Sequence, residues 1–247
     1  MFDILKDIID RSNYTFSFPY IIISLILNPF FFVRYNLFRN IKKLSINLNG
    51  DMLDFGCGCA PYKHLFDKCD NYVGMDIEVS GHDHTNSSID VYYDGVTIPF
   101  EDEHFDSVFS SEVFEHVSNL DYIMKEINRV LKKDGNMIVT VPFTWFEHEI
   151  PYDFRRYTSY GIVKLLEENG FEIIEQRKST KSVQMIFQLW QEYIRDLFSR
   201  ISKNGVFQLI IQLLLIFPAT IIGLVLSFIL PDSDGFYGDN IILCKKV

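Results

Sequence analysis

Thiols are scarce in this chain of 247 residues. Its four cysteines, Cys57, Cys59, Cys69 and Cys244, form no paired C-x-x-C unit, so no zinc site is expected and they read as reduced, small apolar residues. Basic charge is also short. A formal net charge of -10 excludes a general nucleic-acid binder, which needs a basic face. The chain opens on alternating acids and aliphatics, not on a basic stretch followed by a cleavable apolar core, so a reduced, cytoplasmic location is expected. Internal repeats and low-complexity linkers are lacking too.

What is abundant is apolar. Hydrophobic residues make up 48% of the chain and aromatic ones 15%, concentrated in two tracts, 16–33 and 206–230. Residues 1–49 hold six Lys/Arg (Lys6, Arg11, Arg34, Arg39, Lys42, Lys43) against three Asp (Asp3, Asp7, Asp10), while the remainder is strongly acidic. A basic segment beside an apolar one is what an anionic membrane surface attracts.

From residue 51 onward strand and helix signals alternate. Strands are predicted at 51–57, 72–77, 89–93, 105–110, 136–141, 171–176 and 240–246. Helices are predicted at 61–68, 119–133 and 159–169. In 119–133 the apolar residues Leu120, Ile123, Ile127, Val130 and Leu131 fall at helical spacing, and Lys132, Lys133 and Gly135 close the helix. Such alternation predicts a doubly wound, mostly parallel, seven-stranded Rossmann-like sheet with helices on both faces. The last strand joins as an antiparallel edge or inserts.

The first strand runs into Leu53-Asp54-Phe55-Gly56-Cys57-Gly58, and Asp76 follows Gly56 by 20 residues. A strand, a glycine turn and an acid ending the next strand suit a nucleoside cofactor across the carboxyl edge of a parallel sheet. An NAD fold would carry a third glycine where Pro61 stands, and Asp54 would repel a pyrophosphate. An acid there suits a cation, such as the sulfonium and ammonium of S-adenosylmethionine.

Six stretches in this order resemble the class I S-adenosylmethionine-dependent methyltransferases: residues 53–58; Val73-Gly74-Met75-Asp76-Ile77; Asp94-Gly95; Ile98-Pro99-Phe100 with His104-Phe105-Asp106; Ser111-Glu112-Val113-Phe114-Glu115-His116; and 131–141. The resemblance covers residues 51–174 and resumes at 240–246. It implies that Asp54, Gly56 and Gly58 lie under the methionine part of the cofactor, and that Asp76, followed by Ile77, accepts both ribose hydroxyls. Asp94, with Gly95, would reach the adenine amino group, and Ser111 and Glu112 would border the methionine. Ala60 departs from the pattern, standing where many relatives have a third glycine.

Glu112, Glu115 and His116 lie at i, i+3 and i+4, and on a helix they would share one face. Two carboxylates and an imidazole suit a divalent metal. The same spacing resembles a magnesium site of ubiquinone and RNA O-methyltransferases, but it also occurs in relatives without a metal role. A catalytic or substrate-contacting His116 and a purely structural cluster remain open beside it.

Residues 142–158 follow the fifth strand and are rich in aromatic and charged groups. Within them 148–158 resembles a motif of bacterial methyltransferases linked to cell-surface polysaccharide or glycolipid synthesis. A hydroxyl acceptor must lose its proton, and His148, then His116, are the candidate bases because imidazole titrates near neutral pH. Arg155 or Arg156 could hold a phosphate or carboxylate of the substrate. Tyr152, Asp153 and Tyr157 complete the expected substrate contacts. A loop pinned by its own Asp–Arg and Tyr contacts is the alternative.

The tract 206–230 carries no charge, and as one helix it would be about 38 Å long, enough for a bilayer core of roughly 30 Å. It lies between the sixth and seventh strands, however, so a full crossing would part the last strand from its sheet. Pro218 near its middle predicts a re-entrant or surface-lying hairpin of two arms. Pro19 and Pro29 break the first tract. Residues 182–201 read as amphipathic, with Trp190 and Tyr193 as interfacial anchors.

The expected organisation is an N-terminal membrane-associated segment (1–49), a methyltransferase domain (50–180 and 235–247) and an inserted apolar helical part (181–234). The expected function is S-adenosylmethionine-dependent O-methylation, at the cytoplasmic face of a membrane, of a held acceptor such as a lipid-linked glycan. A polyprenyl quinone, another lipid, or a catalytically silent membrane assembly subunit are the alternatives.

Overall fold

The computed structural model describes residues 16–17, 19–78 and 88–247. The charges of residues 1–15, part of the expected membrane segment, lie outside the described residues. The chain divides into two units: Asn40–Lys178 with Asp239–Val247, and 179–238 with the residues up to Arg39. The segments 1–49 and 181–234, kept apart in the sequence reading, thus fall largely into one unit.

The first unit is built on seven strands: β1 (Gly50–Phe55), β2 (Cys69–Ile77), β3 (Val91–Tyr93), β4 (Phe105–Ser111), β5 (Leu131–Pro142), β6 (Phe171–Lys178) and β7 (Asp239–Lys246). Their order is β3-β2-β1-β4-β5-β7-β6. β1 to β5 pair in parallel, and β7 inserts antiparallel between β5 and β6, with Ile242 opposite Val139 on one side and Gln176 on the other. β1 is apolar on both faces, as a central strand must be: Met52, Leu53 and Phe55 are all buried. Helix Leu120–Val130 lays Leu120, Ile123, Met124, Ile127 and Val130 on one core with Leu53, Phe55, Val108, Met137 and Val139. Each such side chain contributes roughly 1.5–3 kcal/mol by leaving water. Helix Ser159–Glu168 starts where the Thr158 side chain accepts from the Gly161 amide (3.0 Å).

Two predicted helices are corrected. The helix over 61–68 is a single tight turn, Lys63–Leu65. The helix over 119–133 stops at Val130, because Leu131 is drawn into the core and pairs with Phe105, which outweighs the helix preference of Lys132 and Lys133.

The second unit is helical. Helix Tyr20–Leu27 ends at Asn28, whose Oδ1 accepts from the Phe30 amide (2.9 Å), and helix Phe31–Leu44 follows. Then come α-helix Ser182–Ile201 and a continuous helix of 25 residues, Gly205–Ile229. The expected break at Pro218 is corrected. A wider π turn, Gln212–Ile216, precedes the proline and accommodates its missing N–H, so the helix runs on. A hairpin does exist, but it turns at residues 202–204. Its two ends meet where the Ser182 amide donates to the Phe236 carbonyl (2.9 Å) and the Ser182 hydroxyl to the Ser233 carbonyl (3.2 Å).

This unit buries polar side chains beside a small apolar cluster of Ile194, Ile211 and Ile216, and leaves apolar ones exposed. Ser24, Asn28, Gln188, Gln191, Gln212 and Thr220 are buried. The Gln188 and Gln212 amides donate to the carbonyls of Pro29 (2.8 Å) and Ile26 (2.9 Å), and the Gln191 amide lies 2.9 Å from the Thr220 hydroxyl. Outward stand Ile186, Trp190, Tyr193, Leu197 and Ile201 on one helix and Leu214, Ile222, Val225, Phe228 and Ile229 on the other.

Candidate active site

β1 delivers the glycine turn to the carboxyl edge of the sheet, where the strand order reverses between β1 and β4. Gly56 has φ +74°, and a Cβ on it would stand 2.4 Å from the Val113 side chain. A Cβ on Gly58 would meet nothing within 4 Å, so this glycine borders open space. Asp76, near the end of β2, holds the turn: its Oδ2 accepts from the Gly58 amide (2.9 Å) and its Oδ1 from the Ile77 amide (2.8 Å). Each oxygen keeps a lone pair for a further donor.

Asp54 is buried beneath the turn and accepts a short hydrogen bond from the Tyr72 hydroxyl. Burial pushes its carboxyl up to about 7; the Tyr72 bond opposes this, the Asp76 charge adds to it, and Lys63 opposes it. Asp94 is exposed, and its Oδ1 caps the amides of Val96 (2.8 Å) and Thr97 (2.7 Å), which lowers its pKa. The Gly95 carbonyl accepts from Asn119 (3.1 Å). Past β4, the Ser111 hydroxyl lies 2.9 Å from that of Thr140, which donates to Glu112 Oε1 (2.7 Å) and accepts from the Glu112 amide (3.1 Å). Burial, then the charges of Asp239 and Glu115, raise the Glu112 carboxyl well above its ordinary range.

The expected helical face of Glu112, Glu115 and His116 is corrected. Phe114–His116 is one tight turn and Glu112 has φ +56°, so the Glu112 carboxylate turns to Thr140. Glu115 and His116 meet His148 instead, with ligand atoms within 4.8 Å of one another. Glu115 is fully buried, and burial raises it to about 8. Burial lowers His116.

The loop after β5 is held by its own Asp–Arg contacts and by residues 115–118. Arg155 donates to the carbonyls of Val117 and Ser118, the latter at 2.9 Å. Arg156 donates to Asp153 Oδ2 (2.7 Å) and to the carbonyls of Phe146 (2.8 Å) and Arg155 (2.7 Å). Against burial, Arg156 and the His148 amide hold Asp153 down at about 2. The Tyr152 carbonyl lies 2.9 Å from His116 Nδ1, and the Tyr157 amide donates to the Pro142 carbonyl (3.1 Å).

Residues 53–139 match the family model of the methyltransferase domain. This segment is a methyltransferase domain. A sterol 4-C-methyltransferase of Caenorhabditis elegans is 33% identical over 111 residues, 40% of this chain and 33% of that protein. The chain spans 33–60% of the length of the curated relatives it matches. Among solved structures, the (4+2)-cyclase SpnF aligns with TM-score 0.54 and 17% identity over 84% of this chain and 80% of its own. A phosphoethanolamine N-methyltransferase of Haemonchus contortus in complex with S-adenosyl-L-methionine aligns with TM-score 0.51 and 22% identity, over 97% of this chain and 59% of its own. At such identities these two likenesses show the fold.

Within the methyltransferase domain, sequence reasoning missed Tyr72 and Thr140. Thr140 had a signal, a hydroxyl inside the apolar run Met137-Ile138-Val139-Thr140-Val141. Tyr72 had none, since only the pairing of β1 with β2 brings it to Asp54.

Proposed function

We propose that the chain is an S-adenosylmethionine-dependent methyltransferase of the cytoplasmic membrane face, acting on a hydroxyl of a membrane-held acceptor such as a lipid-linked glycan. One observation carries the reading: an open glycine turn at the carboxyl edge is flanked by a buried acid, Asp54, and by a carboxylate with spare lone pairs, Asp76. These residues fit a cationic nucleoside. When bound, it supplies a methyl group on sulfur, whose transfer to an oxygen leaves S-adenosylhomocysteine and one proton. Asp54 balances the positive charge, Asp76 takes the ribose hydroxyls beside Ile77, and Asp94 with Gly95 reaches the adenine edge. Ser111 and Glu112 border the methionine part. His148, then His116, are the candidates to take the acceptor's proton, and Tyr152, Asp153, Arg155, Arg156 and Tyr157 shape the acceptor loop.

The exposed apolar helix faces and paired buried amides of the helical unit support the membrane part of the reading. Amides paired inside and aliphatic side chains outside suit lipid, where an unpaired amide is costly and an exposed leucine is not. In water, the same face would be an unusually large apolar patch. The identity with a sterol methyltransferase favours, as a second reading, a lipid acceptor such as a polyprenyl quinone.

Calorimetric titration with S-adenosylmethionine tests the core claim. Saturable binding is expected, weakened at least about tenfold in Asp76→Ala by loss of two charge-assisted hydrogen bonds. No saturable binding would leave the assembly-subunit alternative in its place. Incubation with labelled methyl donor and native membranes, followed by extraction, then separates glycan from lipid acceptors by where the label is found.

A further inference from the structure

The imidazoles of His116 and His148 meet edge to face with their Nε2 atoms 3.2 Å apart. The other nitrogen of each ring faces carbonyl oxygen. Nδ1 of His116 is 2.9 Å from the Tyr152 carbonyl, and Nδ1 of His148 is 3.2 Å from the Phe146 carbonyl and 3.3 Å from Asp153 Oδ2. Arg156, a donor near His148 Nδ1, stands farther at 3.4 Å and already serves Asp153 and the Phe146 carbonyl. Carbonyls and carboxylates only accept, so both Nδ1 atoms carry the proton. Both Nε2 atoms then present lone pairs to each other.

Two lone pairs at that distance repel unless positive charge lies between them. Beside them, 3.7 Å from His116 Nε2, is Glu115 Oε1. Glu115 is fully buried, and neither of its carboxylate oxygens has a hydrogen-bond partner. Such a group is costly to bury with nothing to bind. Glu149 Oε1 stands 3.6 Å from the same Nε2.

We propose that Glu115, His116 and His148 bind a divalent transition-metal ion. In a tetrahedral site with metal–nitrogen bonds of about 2.0–2.1 Å, neighbouring nitrogens lie about 3.3 Å apart, close to the spacing found here. Carbonyls behind the imidazoles are the usual means of fixing the tautomer and aiming a histidine at a metal. Two imidazoles and a carboxylate with an open position form a known zinc donor set, also open to Fe²⁺ and, less well, Mn²⁺. The site uses no thiol, which is why counting cysteines gave no sign of it. Three protein ligands leave a position for an oxygen, of water or of an acceptor. With the ion bound, His116 and His148 serve as its ligands, and this replaces the direct proton uptake proposed for them above.

The test does not depend on methyl transfer. Full-length protein is stripped with a chelator, dialysed and titrated with ZnCl₂ and with MnCl₂ by calorimetry. Uptake of one Zn²⁺ per chain is expected, weakened at least about tenfold in His148→Ala and in Glu115→Gln. His148 sits on a half-exposed loop, and thermal unfolding without metal checks that its variant is folded. Failure of the wild type to take up stoichiometric Zn²⁺ at micromolar concentration would overturn the proposal and leave a shared proton between the rings. Undiminished uptake by a folded His116→Ala/His148→Ala protein would overturn it too, by placing the ion elsewhere. Zinc uptake without S-adenosylmethionine binding would instead count against the methyltransferase reading alone.

Discussion

Asp54 gives the sharpest test of how the cofactor pocket uses charge. Its carboxyl is raised from 3.8 to about 7, so near neutral pH about half the free protein carries a neutral acid there. A cation above it binds the ionised form better and pulls the proton off. With a pKa near 7, the ionised fraction is about 0.9 at pH 8 and about 0.1 at pH 6. Affinity should therefore fall about tenfold across that interval, equivalent to about 1.4 kcal/mol. The ligand's own amine also titrates there, with a usual α-amino value of about 7.7–8.0. Asp54→Asn isolates the protein's part, because the amine contributes equally to both proteins and drops out of their difference. The assay is calorimetric titration with S-adenosylmethionine at pH 6, 7 and 8 in buffers of different ionisation enthalpy, which also counts released protons. The wild type should lose about tenfold more affinity than Asp54→Asn between pH 8 and pH 6. Equal pH slopes in the two proteins, or tighter wild-type binding in acid, would refute the assignment of Asp54 as counter-charge.

Gly56→Ala should destabilise the fold by about 1–3 kcal/mol in urea unfolding, because the new methyl meets Val113 and the backbone stays left-handed. Glu126 accepts from Arg129 (2.7 Å) and from the Ile98 amide (3.0 Å), and its pKa is lowered, first by the Arg129 bond. A depressed carboxyl stabilises above its unfolded value and ceases to as pH falls through its folded one. Glu126→Gln should therefore lower the melting temperature at pH 7 and lose that difference in acid below about pH 4. Leu214 is 67% and Phe228 88% exposed. Leu214→Glu/Phe228→Glu should move the protein from pelleted membranes to the supernatant while changing its stability in water by no more than about 0.5 kcal/mol.

Legibility followed the range of the forces involved. β1 and the helix after residue 119 were readable because their apolar spacing is itself the packing instruction, and Ser182–Ile201 was readable to its ends. The place of β7 was not. Whether it joins the edge or inserts depends on partners more than 60 residues away in the chain, at β6. Pro218 misled because proline breaks a helix only when the freed carbonyl has nowhere to go, and a π turn supplies the room. At the site, the acid–glycine motif could be quoted residue by residue. The partner of Glu115 could not, because the left-handed backbone at Glu112 turns the cluster away from helical geometry and His148 arrives from another loop.

The insertion of β7 also sets an order of events during synthesis. β6 emerges from the ribosome with no sheet neighbour, since the strand that joins it to β5 lies beyond the whole helical hairpin. Until the eight residues Asp239–Lys246 are made, β5 and β6 each present a raw edge. The hairpin must fold back so that its ends meet before the sheet can close. Nascent chains stalled between residues 230 and 238 should thus be open to proteases at β6, and those in which β7 has emerged resistant. A strand that follows the helical hairpin in the chain but lies inside the sheet works as a latch between β5 and β6.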